Sequence, residues 1–138
     1  MNSLTITYDG DQHVTALQEP YNNTVAIDCP FTGKGDEFSP ASLLGTSLAS
    51  CMLLSMGAVA QRDNLDLRGT VVDIKLTGMG KTIPRVDTIT MEFNIPQDFS
   101  SADRKKLEMA ADLCPIMASL GTETRITATF RYAVATAA

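Results

Sequence analysis

Apolar and polar residues alternate with a period of two from Ser3 to Asp9 (Ser-Leu-Thr-Ile-Thr-Tyr-Asp), which predicts a strand with one face turned to a core. Asp9-Gly10-Asp11 is a turn signal; Gln12 to Leu17 is expected to return as a second strand, and Thr24 to Asp28 as a third. Residues 29–38 contain Pro30, Gly33 and Gly35 and read as a loop. The pattern changes at Ser39-Pro40. Serine supplies an N-cap oxygen, and proline suits the first helical turn because its missing N–H would be unpaired there anyway. The helix is predicted to run to about Asp63, with Asn64 as its stop. Its central stretch is apolar or small on every side, so burial on most faces is expected. One small domain rarely surrounds a helix, which implies a partner subunit.

Leu67 to Met79 and Val86 to Ile95 are strand-like, with Gly78 to Pro84 as a hairpin loop. Ser100-Ser-Ala-Asp103 resembles a capping box with aspartate in place of glutamate. Leu107, Ala110, Ala111 and Cys114 recur at helical spacing and should face a core, while Arg104, Lys105, Glu108 and Asp112 should face water. Arg125 to Val134 alternates as a last strand. The order is strands, long helix, strands, helix, strand. That is an α+β layout, expected as a single domain over residues 1–138.

Composition changes this picture little. The 138 residues are 44% hydrophobic and 20% charged, as in globular proteins. A net charge of −5 argues against nucleic acid or an anionic membrane as partner. The first residues lack the charged and apolar segments of a secretory leader. Gly45, Thr46, Ser47, Ser50 and Ser55 interrupt the long helix, which is expected to fall short of a membrane span. Three cysteines are too few for a disulfide scaffold, so the cytoplasm is the expected compartment. With one histidine and no Cys-x-x-Cys, neither a metal nor another cofactor is expected.

The chemistry worth weighing lies in the thiols, since nothing else offers a nucleophile with an obvious activator. Cys51 sits in the most hydrophobic segment, and Cys114 closes the second helix just before Pro115. A helix-borne thiol facing a helix-end thiol could reduce an oxidant and then form a disulfide. Cys51 is mid-helix, so it needs a cation to become a thiolate. If Pro115 opens a short turn, Cys114 becomes its N-cap and could be the more acidic thiol. Cys29, in the loop before Pro30, reads as incidental, and His13 as solvated or hydrogen-bonded. Met52, Met56, Met109 and Met117 read as core filler, Arg104 to Lys106 as a solvated face, and Phe31 and Phe38 as anchors of the loop.

Taken together, several pieces resemble the OsmC/Ohr family of osmotically inducible and organic-hydroperoxide-resistance proteins. They are Ser39-Pro40, Leu43-Leu44 and Ala49-Ser50-Cys51, then Asn64-Leu65-Asp66-Leu67, then Arg104-Lys-Lys-Leu107 leading to Asp112-Leu-Cys114-Pro115-Ile116. The resemblance implies an OsmC-like fold, with antiparallel sheets wrapped around long central helices in an intertwined homodimer. It implies Cys51 as the peroxidatic and Cys114 as the resolving cysteine, a small organic or hydrogen peroxide as substrate, and a dithiol, of lipoyl type, as reductant. Two family features differ. Ala41 and Ser42 stand where better-studied members carry glutamate, and no arginine precedes Arg62, leaving Lys34, or a partner-chain Arg68 or Arg85, as the cation for Cys51. Two alternatives follow from that difference: a non-catalytic protein holding a small apolar ligand, or a thiol redox sensor.

Overall fold

The structure, a computed structural model, describes residues 3–78 and 85–135. The chain divides into two compact units, Met1–Leu44 and Gly45–Ala138.

The first unit is an antiparallel sheet of β1 (Leu4–Gly10), β2 (His13–Gln18) and β3 (Asn23–Asp28), in that order. Asp11 and Gln12 both take positive φ between paired Gly10 and His13, giving the two-residue turn whose twist suits a hairpin. The register puts Leu4, Ile6 and Tyr8 on one face with Val14, Ala16, Val25 and Ile27. The expected core face of β1 is open, however: Leu4, Ile6 and Tyr8 are 71%, 60% and 64% exposed. A single three-stranded sheet has no second layer of its own with which to cover them.

The loop from Cys29 to Phe38 is tied down by Asp28. Its Oδ2 accepts the N–H groups of Gly35 and Asp36 at 2.8 and 3.2 Å, and its own N–H donates to the Phe38 carbonyl. Phe31 and Phe38 are 78% and 50% exposed, so the loop is anchored by backbone and carboxylate rather than by the two rings.

The helix α1 (Pro40–Arg62) starts as its sequence predicts. Ser39 Oγ accepts the Ser42 N–H at 3.0 Å and Ser42 Oγ accepts the Ser39 N–H at 2.9 Å, a reciprocal cap. It stops where Asn64 turns left-handed at φ 56°, and the Leu65 N–H reaches back to the Ala60 carbonyl at 2.8 Å.

In the second unit, α1 packs on a sheet of order β4-β5-β6: β4 (Val71–Gly78), β5 (Val86–Asn94) and β6 (Arg125–Arg131). Register puts Val72, Ile74 and Leu76 on one face with Ile89, Met91 and Phe93 and with Ile126, Ala128 and Phe130. Gly45 lets α1 approach closely, since a Cβ there would lie 3.2 Å from Ile74 and 3.3 Å from Leu76. β6 runs parallel to β5, and the crossover this demands is made by α2 (Ser101–Asp112) and α3 (Pro115–Ser119). The first strand begins at Val71 rather than Leu67, because Thr70 donates its N–H back to the Leu67 carbonyl in a turn. The hairpin loop expected at Gly78 to Pro84 lies, beyond Gly78, outside the described residues, as does Met79.

Within one chain, α1 buries a single stripe, Gly45, Leu48, Ala49, Met52, Met56 and Ala60; Leu54 is 74% exposed, because one sheet covers one side. Three further expectations need correction. With 23 residues, α1 is also long and apolar enough to cross a membrane, although its stripe is committed to the sheet as in a core helix. Met109 is 54% exposed rather than core, unlike Met52 and Met56. Finally, Arg104 to Lys106 is not simply solvated. Arg104 lies 4.4 Å over the Tyr132 ring, and Lys106 pairs with Asp63 at 2.8 Å, joining α2 to the end of α1. Successive helical residues point in different directions, so a run of three cannot share one environment.

Candidate active site

Cys51 flanks the buried stripe of α1, one turn after Leu48, and is half-buried. Cys114 is fully buried where α2 hands over to α3. The handover follows from sequence: Pro115 supplies the first residue of α3, and Cys114, in extended conformation, is its N-cap. Cys114 Sγ accepts the Met117 N–H at 3.2 Å. The Ile116 N–H also bears on that sulfur, and the Cys51 thiol lies close enough to interact with it. The two thiols expected to work together therefore meet, and both are free.

The N-cap expected at Cys114 is present, but the acidity expected from it is not. Burial pushes the Cys114 thiol up from its usual range, and the nearby Cys51 adds to that; the N–H groups of Met117 and Ile116 offset it only in part. Desolvation of a thiolate outweighs two amide hydrogen bonds at a fully covered sulfur.

Cys29, read as incidental, is the thiol held acidic. The Thr32 side chain, then the N–H groups of Phe31, Thr32 and Gly33, lower it below the ordinary value. The signal was Thr32 and Gly33 just behind the Cys29-Pro30 step, a composition that curls backbone donors towards one atom. At pH 8, iodoacetamide labelling followed by peptide mass spectrometry should modify Cys29 first and Cys114 last, by about tenfold or more in rate. Equal labelling rates would contradict both assignments.

The two arginines considered for Cys51 have carboxylate partners. Arg68 lies 3.5 Å from Asp66, and Arg85 lies 2.9 Å from Asp87 and 3.1 Å from Glu123. Lys34 lines an acidic cavity of the first unit with Asp28, Asp36 and Glu37. His13 Nδ1–H donates to Asp9 Oδ2 at 2.9 Å, as in a hydrogen-bonded histidine. Among the described residues, no three His, Cys, Asp or Glu side chains converge to hold a metal.

A mid-helix thiol and a helix-end thiol thus lie near one another on an α+β frame. Residues 33–129 match the model of the OsmC-like protein family, and the chain belongs to that family. A Psychrobacter arcticus protein, described as an osmotic stress induced and detoxification response protein, shares 29% identity at a TM-score of 0.88, covering 95% of this chain and 96% of that one. The OsmC-like protein of Mycoplasma pneumoniae has the same fold at 17% identity and a TM-score of 0.79, covering 96% of each chain. So does the organic hydroperoxide resistance protein OhrB of Bacillus subtilis, at 14% identity and a TM-score of 0.71, covering 95% and 98%. No curated protein matches the sequence.

Proposed function

We propose that this protein is a thiol-dependent reductase of organic hydroperoxides or hydrogen peroxide, with Cys51 as the attacking thiol and Cys114 as the resolving one. The observation that carries the reading is the approach of the Cys51 thiol to the Cys114 sulfur inside one packed unit. Names of fold relatives such as the organic hydroperoxide resistance protein of Bacillus subtilis support the substrate class. The unequal exposure of the two thiols supports the division of labour, because a peroxide from solvent meets half-buried Cys51 before sealed Cys114.

The chemistry balances without a cofactor. The Cys51 thiolate attacks the outer peroxide oxygen, the O–O bond breaks, and a proton completes the leaving alcohol or water, leaving a Cys51 sulfenic acid. The Cys114 thiol then displaces hydroxide from that sulfur, forming a disulfide and, with its proton, water. An external dithiol reduces the disulfide by exchange and is itself oxidised to a cyclic disulfide.

The working form in this reading is a homodimer in the cytoplasm. A second copy would cover exposed apolar side chains of β1 such as Leu4 and Ile6, and Leu54 on the outer side of α1. A reducing compartment would keep all three thiols free.

The test is consumption of tert-butyl hydroperoxide with dihydrolipoamide as reductant, with mass spectrometry of the oxidised protein. Repeated turnover through a Cys51–Cys114 disulfide is expected. The disulfide without turnover would replace the enzyme with a redox sensor. Neither disulfide nor turnover would leave an apolar-ligand carrier, the reading that Ala41 and Ser42, in place of a glutamate, favour.

A further inference from the structure

We propose that α3 is a redox-sensitive latch: forming the Cys51–Cys114 disulfide withdraws the N-cap of this short helix and loosens it. The loosening opens a path for the dithiol to a sulfur that is sealed in the thiol form. The inference rests on the disulfide of the proposed function and concerns what that bond does to the fold.

One atom has two duties. Cys114 Sγ is the sulfur that Cys51 approaches, and it also accepts the Met117 N–H at 3.2 Å as the side-chain cap of α3. Such a cap satisfies one of the N–H groups that every helix start leaves without a partner inside the helix. In a helix of five residues the cap counts for more than in a long one, because few other bonds hold the turn. Here those are Ala118 N–H to the Cys114 carbonyl at 3.2 Å, Leu120 N–H to the Met117 carbonyl at 3.3 Å, and Ser119 Oγ to the Pro115 carbonyl at 2.8 Å. No residue of α3 is buried, so packing adds little to them.

Closing the disulfide moves one side more than the other. The two sulfurs must come to about 2 Å. Cys51 is held in the middle of the 23-residue α1, between Leu48 and Met52, which have no exposed surface. On the other side, Leu107 and Ala111 fix α2, whereas nothing buried fixes α3. The adjustment therefore falls on the Cys114–Pro115 junction. Drawing Sγ onto the Cys51 sulfur takes it off the Met117 N–H, and the first turn of α3 loses its cap.

The consequence is access. Cys114 has no exposed surface with its thiol free, and a loosened α3 uncovers it only once it is oxidised. A thiolate of the dithiol then attacks one sulfur of the disulfide, and the other leaves as thiolate. The second thiol of the reductant closes its own ring and frees the remaining cysteine. Both protein sulfurs return as thiols, and the cap of α3 forms again.

Amide exchange measured by NMR tests this on the whole chain, reduced and after oxidation with diamide, whose N=N bond takes up the two thiol hydrogens as the sulfurs join. A Cys29→Ser background keeps the third thiol out of the reaction, and mass spectrometry identifies the disulfide. Oxidation is expected to speed exchange at Met117, Ala118 and Leu120 about fivefold or more, the weight of a lost N-cap, and to leave Met52 and Met56 of α1 unchanged. In the reduced protein, Cys114→Ala should loosen α3 in the same way, whereas Cys114→Ser supplies a cap oxygen and should not. Should a Cys114 variant misfold, the oxidised protein decides alone. Unchanged exchange at α3 in the disulfide form, equal acceleration in α1 and α3, or a Cys114→Ala variant as protected as Cys114→Ser would overturn the latch and leave the proposed function standing. Failure of diamide to join Cys51 to Cys114 would remove the thiol pair of the proposed function, and the latch with it.

Discussion

Cys51→Ser should abolish hydroperoxide turnover, lowering the dithiol-dependent rate by about a thousandfold or more, because a serine hydroxyl lacks the accessible thiolate form that attacks the O–O bond. Cys114→Ser should behave differently. Its first oxidation should proceed at close to the normal rate and then stop after one equivalent, leaving a Cys51 sulfenic acid that dimedone traps. The two variants thus separate attack from resolution. The difference rests on geometry: Cys114 is sealed and its thiol is pushed up by burial, so it is unsuited to meet peroxide first. The reverse pattern, a burst in Cys51→Ser and none in Cys114→Ser, would exchange the roles; undiminished turnover in both would remove the pair from catalysis. Stopped-flow oxidation with single-turnover analysis reads these outcomes directly.

Phe93→Ala should destabilise the fold by about 3–5 kcal/mol, the range for deleting a fully buried aromatic. Phe93 lies on β5, the central strand of the second sheet, with no exposed surface. Its ring stacks on Phe130 of the parallel neighbour β6 at 4.8 Å between centroids. Alanine would forfeit that stacking and leave a void between the sheet and α1 that close-packed neighbours fill only in part. The loss approaches the whole stability of a domain this size, so much of the variant would be unfolded at 25 °C. Urea denaturation followed by circular dichroism checks it. A loss under 1 kcal/mol would mean that the apolar face of this sheet is not the core.

Local features were legible because their causes are local. The cap at Ser39, the left-handed stop at Asn64 and the N-cap role of Cys114 before Pro115 each need only a few neighbouring residues, and each is found where the chain places it. The strands followed from alternation, and the family pattern carried the expectation that Cys51 and Cys114 lie near one another. Environments were harder. Met109 is an apolar side chain of the type that fills cores and yet is open to solvent, while Arg104 looks like surface and lies on Tyr132. Which side of a helix meets a neighbour depends on elements far away in the chain.

By itself, the order of residues determined the elements, their caps and the presence of one thiol at mid-helix and another at a helix end. Periodicity and turn chemistry act over a few residues and leave their mark in the chain. Only the tertiary structure decided that β6 lies parallel to β5, that Cys114 is sealed and less acidic while Cys29 is cradled by N–H groups, and that Asp28 is buried with one oxygen unsatisfied. Those properties are set by how much water is excluded and by which distant groups arrive, and neither is written in local spacing.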